Sequence, residues 1–196
     1  IGKDLLAKLS DKGILGLAYW DNGFKVMSAN KALREVKDFR GQKMRIQSSK
    51  VLEAQMKALG ASPQVMAFSE VYQALQTGVV DGTENPPSNL YTQKMFEVQK
   101  YVTKSDHGYL GYAVIVNKAF WDGLPADIRK SLEVAMLEST TYANDIAKKE
   151  NEESLAKVKA SGKSEIIELT PEQKTSWKKA LSKVHKEMAD RVGAEL

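Results

Sequence analysis

The spacing of hydrophobic residues changes repeatedly along the chain. Leucines at helical intervals in residues 5–9 predict a helix that ends at Gly13, and the apolar run 14–19 then predicts a buried strand. Residues 21–23, with the sequence Asp-Asn-Gly, are typical of a turn, and residues 24–28 predict a second, short strand. The chain therefore opens with a helix followed by strands.

The middle of the chain repeats a strand followed by a helix, which predicts an α/β lobe. The predicted elements are a strand at 43–47, a helix at 51–59 capped by Ser48 or Ser49, a strand at 64–67, a helix from Ser69 to Gly78, and a strand and turn at 79–82. Pro86 and Pro87 fix the backbone that follows, so we expect a rigid loop to hold Asn85.

The last 96 residues predict three strands, a very long helix and a final helix. Residues 101–103 and 109–117 read as strands, and the second is apolar enough at 113–116 to be buried on both faces. A helical period begins at Pro125 and continues toward Gly162, which is long enough to bridge two lobes. A strand at 166–169 and a capping box at 170–173 then introduce a final amphipathic helix.

Composition narrows the class of protein. The chain has 196 residues, of which 42% are hydrophobic and 28% charged, so it can build a globular core. It contains no apolar run long enough for a bilayer and no N-terminal pattern of a secretory signal, which we expect to be absent or already removed. The absence of cysteine excludes disulfides and thiolate chemistry, and permits an oxidising compartment such as the periplasm.

The formal net charge of +4 raises the question of nucleic-acid binding. The positive charges do not cluster with aromatic residues, and Lys178, Lys179 and Lys186 are spaced like the solvent-exposed face of a helix. We therefore expect no nucleic-acid partner.

Motifs of known catalytic sites are missing, including the nucleophile elbow, the dinucleotide and phosphate loops, the zinc-protease pattern and the EF-hand. The histidines, His107 and His185, are far apart in sequence, so neither a metal site nor a cofactor is predicted. We expect His185 to be solvated. His107 could contact a ligand, act as a base, or be structural. One alternative is therefore an enzyme that uses His107 with Asp81 or Glu84 as acid and base.

Arg45 is the strongest candidate for binding. It lies in a predicted strand between Met44 and Ile46, where a guanidinium needs a partner. The planar fork of an arginine suits a carboxylate through two parallel hydrogen bonds. From the residues alone, a salt bridge between Arg45 and an aspartate or glutamate of the same chain remains more common than a bond to a ligand.

Three motifs resemble one known family. Residues 43–47 (KMRIQ), 66–76 (MAFSEVYQALQ) and 80–86 (VDGTENP) closely resemble the solute-binding subunits of tripartite ATP-independent periplasmic (TRAP) transporters, most of all the C4-dicarboxylate-binding DctP branch. The resemblance extends through the whole chain, including residues 105–112 and 120–125.

The resemblance implies the fold class: an α/β protein of two lobes, like type II periplasmic solute-binding proteins, joined by crossing strands and one long helix. The expected domains are a remnant of lobe I at 1–22, the core of lobe II at 23–110, a segment returning to lobe I with the long helix at 111–150, and a strand and helix packing on lobe II at 151–196. The chain begins about a third of the way into a typical member, so we expect an incomplete first lobe.

The resemblance also implies the residues that bind the ligand. Arg45 matches the arginine that holds the ligand carboxylate, Asn85 matches a hydrogen-bonding asparagine, and Phe68 matches an aromatic wall of the pocket. Lys25 stands where many relatives have a second arginine, and a lysine there keeps the charge but loses the two-point geometry. His107 and Ser48 are weaker candidates at the same site.

The implied function is capture of a small organic acid, a C4-dicarboxylate, in the periplasm and its delivery to the membrane subunits of a TRAP transporter. No chemistry and no cofactor are implied. If the chain lacks part of its first lobe, the strands after Tyr19 and Tyr109 would have open edges, and we expect these to favour association with a second copy and to weaken ligand binding.

Overall fold

The computed structural model describes residues 2–193, which divide into two compact units. Unit 1 consists of residues 2–23 and 110–150, and unit 2 consists of residues 24–109 and 151–193. The strands are β1 (Ile14–Phe24), β2 (Val26–Ala29), β3 (Lys43–Ile46), β4 (Ser62–Val65), β5 (Gly82–Asn85), β6 (Tyr101–Lys104), β7 (Tyr109–Asn117) and β8 (Glu165–Glu168). The helices are α1 (Gly2–Ala7), α2 (Lys50–Leu59), α3 (Val71–Gln76), α4 (Pro87–Thr92), α5 (Lys118–Asp122), α6 (Ala126–Ala160) and α7 (Pro171–Val192). The α/β prediction is confirmed.

Unit 2 is built on a mixed sheet that, within residues 2–193, has the strand order β4-β3-β5-β2-β6-β8. The central strand β2 runs antiparallel to both of its neighbours, β5 and β6. On either side, β3 is parallel to β4 and β5, and β6 is parallel to β8. The parallel pairs require crossover connections, and helices supply them.

Two apolar clusters form the core of unit 2. The first includes α2 and α7, where the rings of Phe39 and Trp177 meet edge to face at 4.9 Å. Its buried hydrophobic residues are Met27, Ala29, Leu33, Phe39, Met44, Ile46, Met56, Leu59, Ala61, Ile167, Leu169 and Trp177. The second cluster brings in α3, α4 and the last turns of α6, and contains Val26, Val71, Ala74, Leu75, Val80, Leu90, Met95, Phe96, Val102 and Val158.

Unit 1 is held together by hydrogen bonds between β1 and α6. The indole nitrogen of Trp20 donates to Thr140 Oγ1 at 2.8 Å. Asn144 binds the strand at two points: its Oδ1 accepts from Asp21 N at 2.8 Å and its Nδ2 donates to Tyr19 O at 3.2 Å. Asn144 thus satisfies two backbone groups of β1, a strand that pairs with β7 in a two-stranded sheet of the described chain.

Two predicted features of unit 1 are wrong. Residues 21–23 do not turn: β1 continues to Phe24, and within this segment Asp21 N donates to Asn144 Oδ1 and Asn22 Nδ2 donates to Tyr112 OH. Residues 113–116 are not buried on both faces, since Ile115 in β7 is 54% exposed. The predicted long helix is confirmed as α6, with 35 residues.

The strand predicted at 79–82 begins only at Gly82 and runs to Asn85, so Asn85 lies in a strand and not in a rigid loop. The neighbouring strands approach Gly82 so closely that a larger residue would not fit there. A Cβ at this position would come within 2.4 Å of Ser28 O and 2.9 Å of Met44 Sδ. Pro87 then occupies the first turn of α4, a position that proline favours. Among residues 2–193, no helix is both long and apolar enough to cross a membrane.

Candidate functional site

Three ionisable side chains meet in the interior of unit 2, and a fourth, Arg45, is buried in the neighbouring strand β3. We call Lys25, Glu84 and His107 the buried charge cluster. Lys25, Arg45 and Glu84 are 5%, 2% and 6% exposed, and the side chain of His107 is 2% exposed. Charges are rarely this buried unless they have partners, so the geometry of the cluster identifies a candidate site.

The sheet brings these residues together from distant parts of the sequence. β5 lies between β2 and β3, with Glu84 opposite Met27 on one side and Thr83 opposite Arg45 on the other. Lys25 immediately precedes β2, and its backbone N–H donates to Gly108 O at 2.8 Å, which joins it to the loop that carries His107. The site therefore depends on strand order rather than on local sequence.

Glu84 is the centre of the cluster. Its Oε1 accepts from Lys25 Nζ at 2.6 Å, and its Oε2 lies 2.7 Å from His107 Nε2. The other ring nitrogen of His107, Nδ1, lies 2.7 Å from Ser105 Oγ. Each oxygen of the carboxylate thus has a strong donor, as a buried charge requires.

The electrostatics of Glu84 combine two opposing effects. Burial acts to raise the pKa of its carboxyl, whereas the hydrogen bonds and positive charges of His107 and Lys25 lower it, and the net pKa lies below the ordinary value. Glu84 is accordingly an anion at neutral pH.

Arg45 is fixed by a backbone oxygen and not by an acid. Its Nε and Nη2 both donate to Met66 O, at 3.1 and 2.8 Å, and its guanidinium carbon lies 5.6 Å from the centre of the Phe68 ring. Burial lowers the pKa of Arg45, and the nearby negative charge of Glu84 opposes that effect. No carboxylate of residues 2–193 lies within salt-bridge distance of this guanidinium, so an internal ion pair is not its partner in the described chain.

The other predicted ligand residues lie around this cluster with different exposure. Asn85 is buried, and its Nδ2 is 3.4 Å from Thr83 Oγ1. Phe68 is half-buried beside Arg45. Ser48 is exposed just beyond β3, while its neighbour Ser49 caps α2 by accepting from Leu52 N.

The structure separates the acids that the enzyme alternative invoked. Asp81 Oδ2 accepts from the backbone N–H of Lys43 at 2.7 Å, which is a structural role between strands. Glu84 does contact His107, but both of its oxygens are already engaged by cationic or polar donors. Within residues 2–193, no group of histidine and acidic side chains could hold a metal ion.

A cavity of about 370 Å³ lies beside His107. It is lined by the loop 105–107 and by one face of α7, including Lys174, Trp177, Lys178 and His185. His185 is exposed there, as predicted. The two histidines therefore face one cavity although 78 positions separate them.

Sequence reasoning missed how the site is held. The sequence predicts a role for Glu84 only in the enzyme alternative, whereas in the structure it is the shared partner of Lys25 and His107. The acceptor of Arg45 is the carbonyl of Met66, which any residue type would supply. No local signal identified Glu84 as a buried strand residue, because glycine, glutamate and asparagine, which make up three of the four residues of β5, are depleted in strands.

Comparison with known proteins gives consistent matches. The family model described as bacterial extracellular solute-binding protein, family 7 (DctP) matches residues 1–191. A C4-dicarboxylate-binding periplasmic protein DctP from Rhodobacter capsulatus is 70% identical over 194 residues, which are 99% of this chain and 58% of that protein.

Solved structures match over nearly the whole chain. A TRAP periplasmic solute-binding protein from Shewanella oneidensis with bound succinate superposes with a TM-score of 0.97 at 41% identity, covering 99% of this chain and 64% of that one. A TRAP periplasmic solute-binding protein from Sulfurospirillum deleyianum with bound succinate gives a TM-score of 0.95 at 50% identity and the same coverage. These matches confirm the predicted fold class, and the chain spans about three fifths of the length of these relatives.

Proposed function

Because this chain belongs to the bacterial extracellular solute-binding proteins of family 7, the DctP family, we propose that it forms part of a periplasmic protein that captures a C4-dicarboxylate for a TRAP transporter. The observation that carries the proposal is Arg45, a buried guanidinium held by Met66 O and bonded to no carboxylate of residues 2–193. Such a side chain is a preformed receptor for an organic anion.

The geometry of Arg45 supports two-point recognition. A guanidinium has five N–H donors in a planar fork, and Met66 O takes one from Nε and one from Nη2. The edge between Nη1 and Nη2 then presents the parallel pair of donors that a carboxylate accepts. Phe68 packs close to the same guanidinium and supplies the aromatic wall.

The remaining ligand residues have distinct parts in the proposal. Asn85, in β5, offers its side-chain amide to the second carboxylate or the carbon chain of the ligand. Lys25 contributes positive charge and not a direct hydrogen bond to the ligand, because its ammonium is already bonded to Glu84. His107 adds a polar contact, and Ser48 lies at the exposed end of β3. The bound succinate of the two similar structures supports a four-carbon dicarboxylate as the ligand.

The two units correspond in this proposal to parts of the two lobes of a solute-binding protein. The chain passes between the units at 23/24, 109/110 and 150/151. These positions lie within one residue of the domain limits expected from the sequence, 22/23, 110/111 and 150/151, which supports the assignment of units 1 and 2 to lobes I and II.

Isothermal titration calorimetry with succinate, on the natural full-length product, tests the proposal. Arg45→Ala should lose about 2–5 kcal/mol of binding free energy, because one partner of a buried charged hydrogen-bonded pair is removed. Arg40→Ala is the matched control, since Arg40 is exposed in the same unit. Equal affinities of Arg45→Ala and the wild type would contradict the assignment of Arg45.

The enzyme alternative is not favoured. The family and the relatives named above are solute-binding proteins and not enzymes. Succinate recovered unchanged after long incubation with the protein is the expected result, and any turnover would reopen that alternative. Association with a second copy stays a prediction, which analytical ultracentrifugation measures.

A further inference from the structure

We propose that the exposed side of α7 docks on an anionic lipid surface and holds the protein beside a membrane. We call five lysines of this helix the basic face: Lys174, Lys178, Lys179, Lys183 and Lys186. The inference goes beyond the proposed function, because it concerns an outer surface of unit 2 and not the ligand of Arg45.

The sequence concentrates positive charge in one segment of α7. Residues 174–186 contain the five lysines of the basic face and no aspartate or glutamate, so the formal charge of the segment is +5. The whole chain has 29 lysines and arginines against 25 acidic residues, a net charge of +4, so the rest of the chain sums to −1. This one segment therefore accounts for the entire positive charge of the protein.

The basic face points outward because the other side of α7 belongs to the core. Trp177 and Val184 are 3% and 2% exposed, and Trp177 meets Phe39 in the first hydrophobic cluster. All five lysines are exposed. A helix advances about 1.5 Å per residue, so residues 174–186 extend over roughly 18 Å and the charges form a row.

No acid of the described chain neutralises the basic face. None of its five lysines forms an ion pair with an aspartate or glutamate of residues 2–193. Elsewhere in unit 2, Lys57 is paired with Glu53 and Lys163 with Glu97, each at 2.7 Å. The charge of the basic face is therefore available to a partner outside the chain.

The spacing of the lysines is unfavourable for the helix itself. Lys174 and Lys178 are four positions apart, and so are Lys179 and Lys183. Like charges at this spacing are neighbours on a helix and repel each other. An anionic partner would relieve this repulsion, whereas nothing within residues 2–193 does so by an ion pair.

The type of cation favours a lipid surface over an acidic protein. Lysine is a flexible point charge without the planar fork that matches a carboxylate. At protein interfaces lysine is depleted and arginine is enriched. By contrast, about four to eight basic residues on one face of a helix are typical of binding to anionic phospholipids, where each charge contributes without a fixed geometry.

The buried side of α7 determines the mode of attachment. Its apolar residues are already packed in unit 2, so the helix cannot insert them into a bilayer as an interfacial amphipathic helix does. The attraction is then electrostatic, and salt screens it. Such reversible attachment would keep the protein near membrane subunits without anchoring it to the bilayer.

Co-sedimentation of the natural full-length product with lipid vesicles tests the proposal. Vesicles of equal parts phosphatidylglycerol and phosphatidylcholine should bind the wild type at low ionic strength, and vesicles of phosphatidylcholine alone should not. Raising the salt concentration from about 0.05 M to about 0.5 M should lower the bound fraction by about tenfold or more, because exposed charges are screened.

Two triple variants with the same change in net charge assign the surface. The first removes charge from the basic face and should lower binding to the mixed vesicles by about tenfold or more: Lys174→Gln, Lys178→Gln and Lys179→Gln. The matched control alters exposed lysines of the same unit, beside the second hydrophobic cluster, and should bind nearly as the wild type does: Lys157→Gln, Lys159→Gln and Lys163→Gln. Arginine at the three positions of the first variant should preserve binding, because it keeps the charge.

The outcomes also separate this inference from dicarboxylate capture. Equal binding to neutral vesicles would overturn the proposal, because apolar contact would then drive attachment. No binding to the mixed vesicles at low salt would overturn it as well and would favour an acidic protein as the partner. A loss in the control as large as in the first variant would show that overall charge and not the basic face is responsible. Succinate affinity should be the same in the first variant and the wild type, so either proposal can fail without the other.

Discussion

Unit 2 buries charged side chains, whereas unit 1 exposes many large apolar ones. Unit 2 buries Lys25, Arg45 and Glu84 together with two hydrophobic clusters. Unit 1, within the described residues, buries Trp121 and leaves ten of the fifteen exposed large hydrophobic side chains of the chain on its surface. Those ten are Leu5, Tyr19, Tyr112, Ile115, Phe120, Ile128, Leu132, Val134, Leu137 and Tyr142.

The difference shows which unit contributes more apolar burial to this chain. Burial of apolar surface is the main favourable contribution to folding, so unit 2 contains most of the stabilising contacts of the chain. The free energy gained from those contacts offsets the desolvation cost of burying the charge cluster. Within these 196 residues, unit 1 depends more on hydrogen bonds such as those of Asn144, and we expect a protein of this length to open locally in unit 1 at a lower free energy than in unit 2.

The largest expected effect comes from breaking the charge cluster. Glu84→Leu leaves Lys25 buried without its carboxylate and should lower the free energy of unfolding of unit 2 by about 3–5 kcal/mol. Urea unfolding measures the loss. The double variant Lys25→Met with Glu84→Leu should recover most of it, because both charges are then absent. A double variant as unstable as the single one would show that packing and not charge is responsible.

A matched pair of leucines compares the apolar positions of the two units. Leu59 in unit 2 is 1% exposed and Leu137 in unit 1 is 69% exposed. Leu59→Ala should cost about 2–5 kcal/mol, since it removes buried methyl groups and leaves a cavity. Leu137→Ala should change stability by less than about 0.5 kcal/mol. Similar losses in thermal unfolding would contradict the contrast between the units.

Acid should weaken unit 2 through Glu84. The folded protein holds the pKa of this carboxyl below its ordinary value, so its contribution is fully present above the unfolded pKa. The contribution is lost as the pH falls through the folded pKa, at about 1.4 kcal/mol for each pKa unit of difference. Urea midpoints across the acid range measure this loss. The Lys25→Met and Glu84→Leu double variant should show a smaller acid dependence.

Two helix caps give the smallest and most local comparison. Thr170 Oγ1 accepts from Gln173 N in unit 2, and Asn117 Oδ1 accepts from Phe120 N in unit 1. Alanine at either cap should cost about 1 kcal/mol. In native-state hydrogen exchange, Asn117→Ala should reduce the protection of backbone amides in unit 1 alone. Equal loss at amides of unit 2 would mean that the units do not open separately.

Hydrophobic periodicity and capping residues were sufficient to predict the helices that local sequence determines. The helix after Pro125 and the capping box at Thr170 are present as α6 and α7. Prediction failed at 21–23 and at 79–82, where hydrogen bonds from distant residues decide the backbone conformation. Asn144 lies more than 120 positions from the segment that it extends, and no local pattern contains that information.

The same limit applies to the candidate site. A guanidinium between apolar neighbours predicts that Arg45 needs a buried partner, but its partner is a carbonyl 21 positions away, and every residue has a carbonyl. Similarly, Lys25 and Glu84 are 59 positions apart and meet because β2 and β5 are adjacent strands. The roles of these residues in ligand binding stay predictions.

The bond of Arg45 to Met66 O has a kinetic consequence. An arginine that is free in solution loses up to about 2 kcal/mol of rotamer entropy when it becomes ordered. Here most of that ordering accompanies folding, so an arriving acid does not have to immobilise the side chain. Capture should then require little rearrangement of the guanidinium itself, and the lifetime of the complex should depend on how quickly the carboxylate leaves a receptor that is already in place.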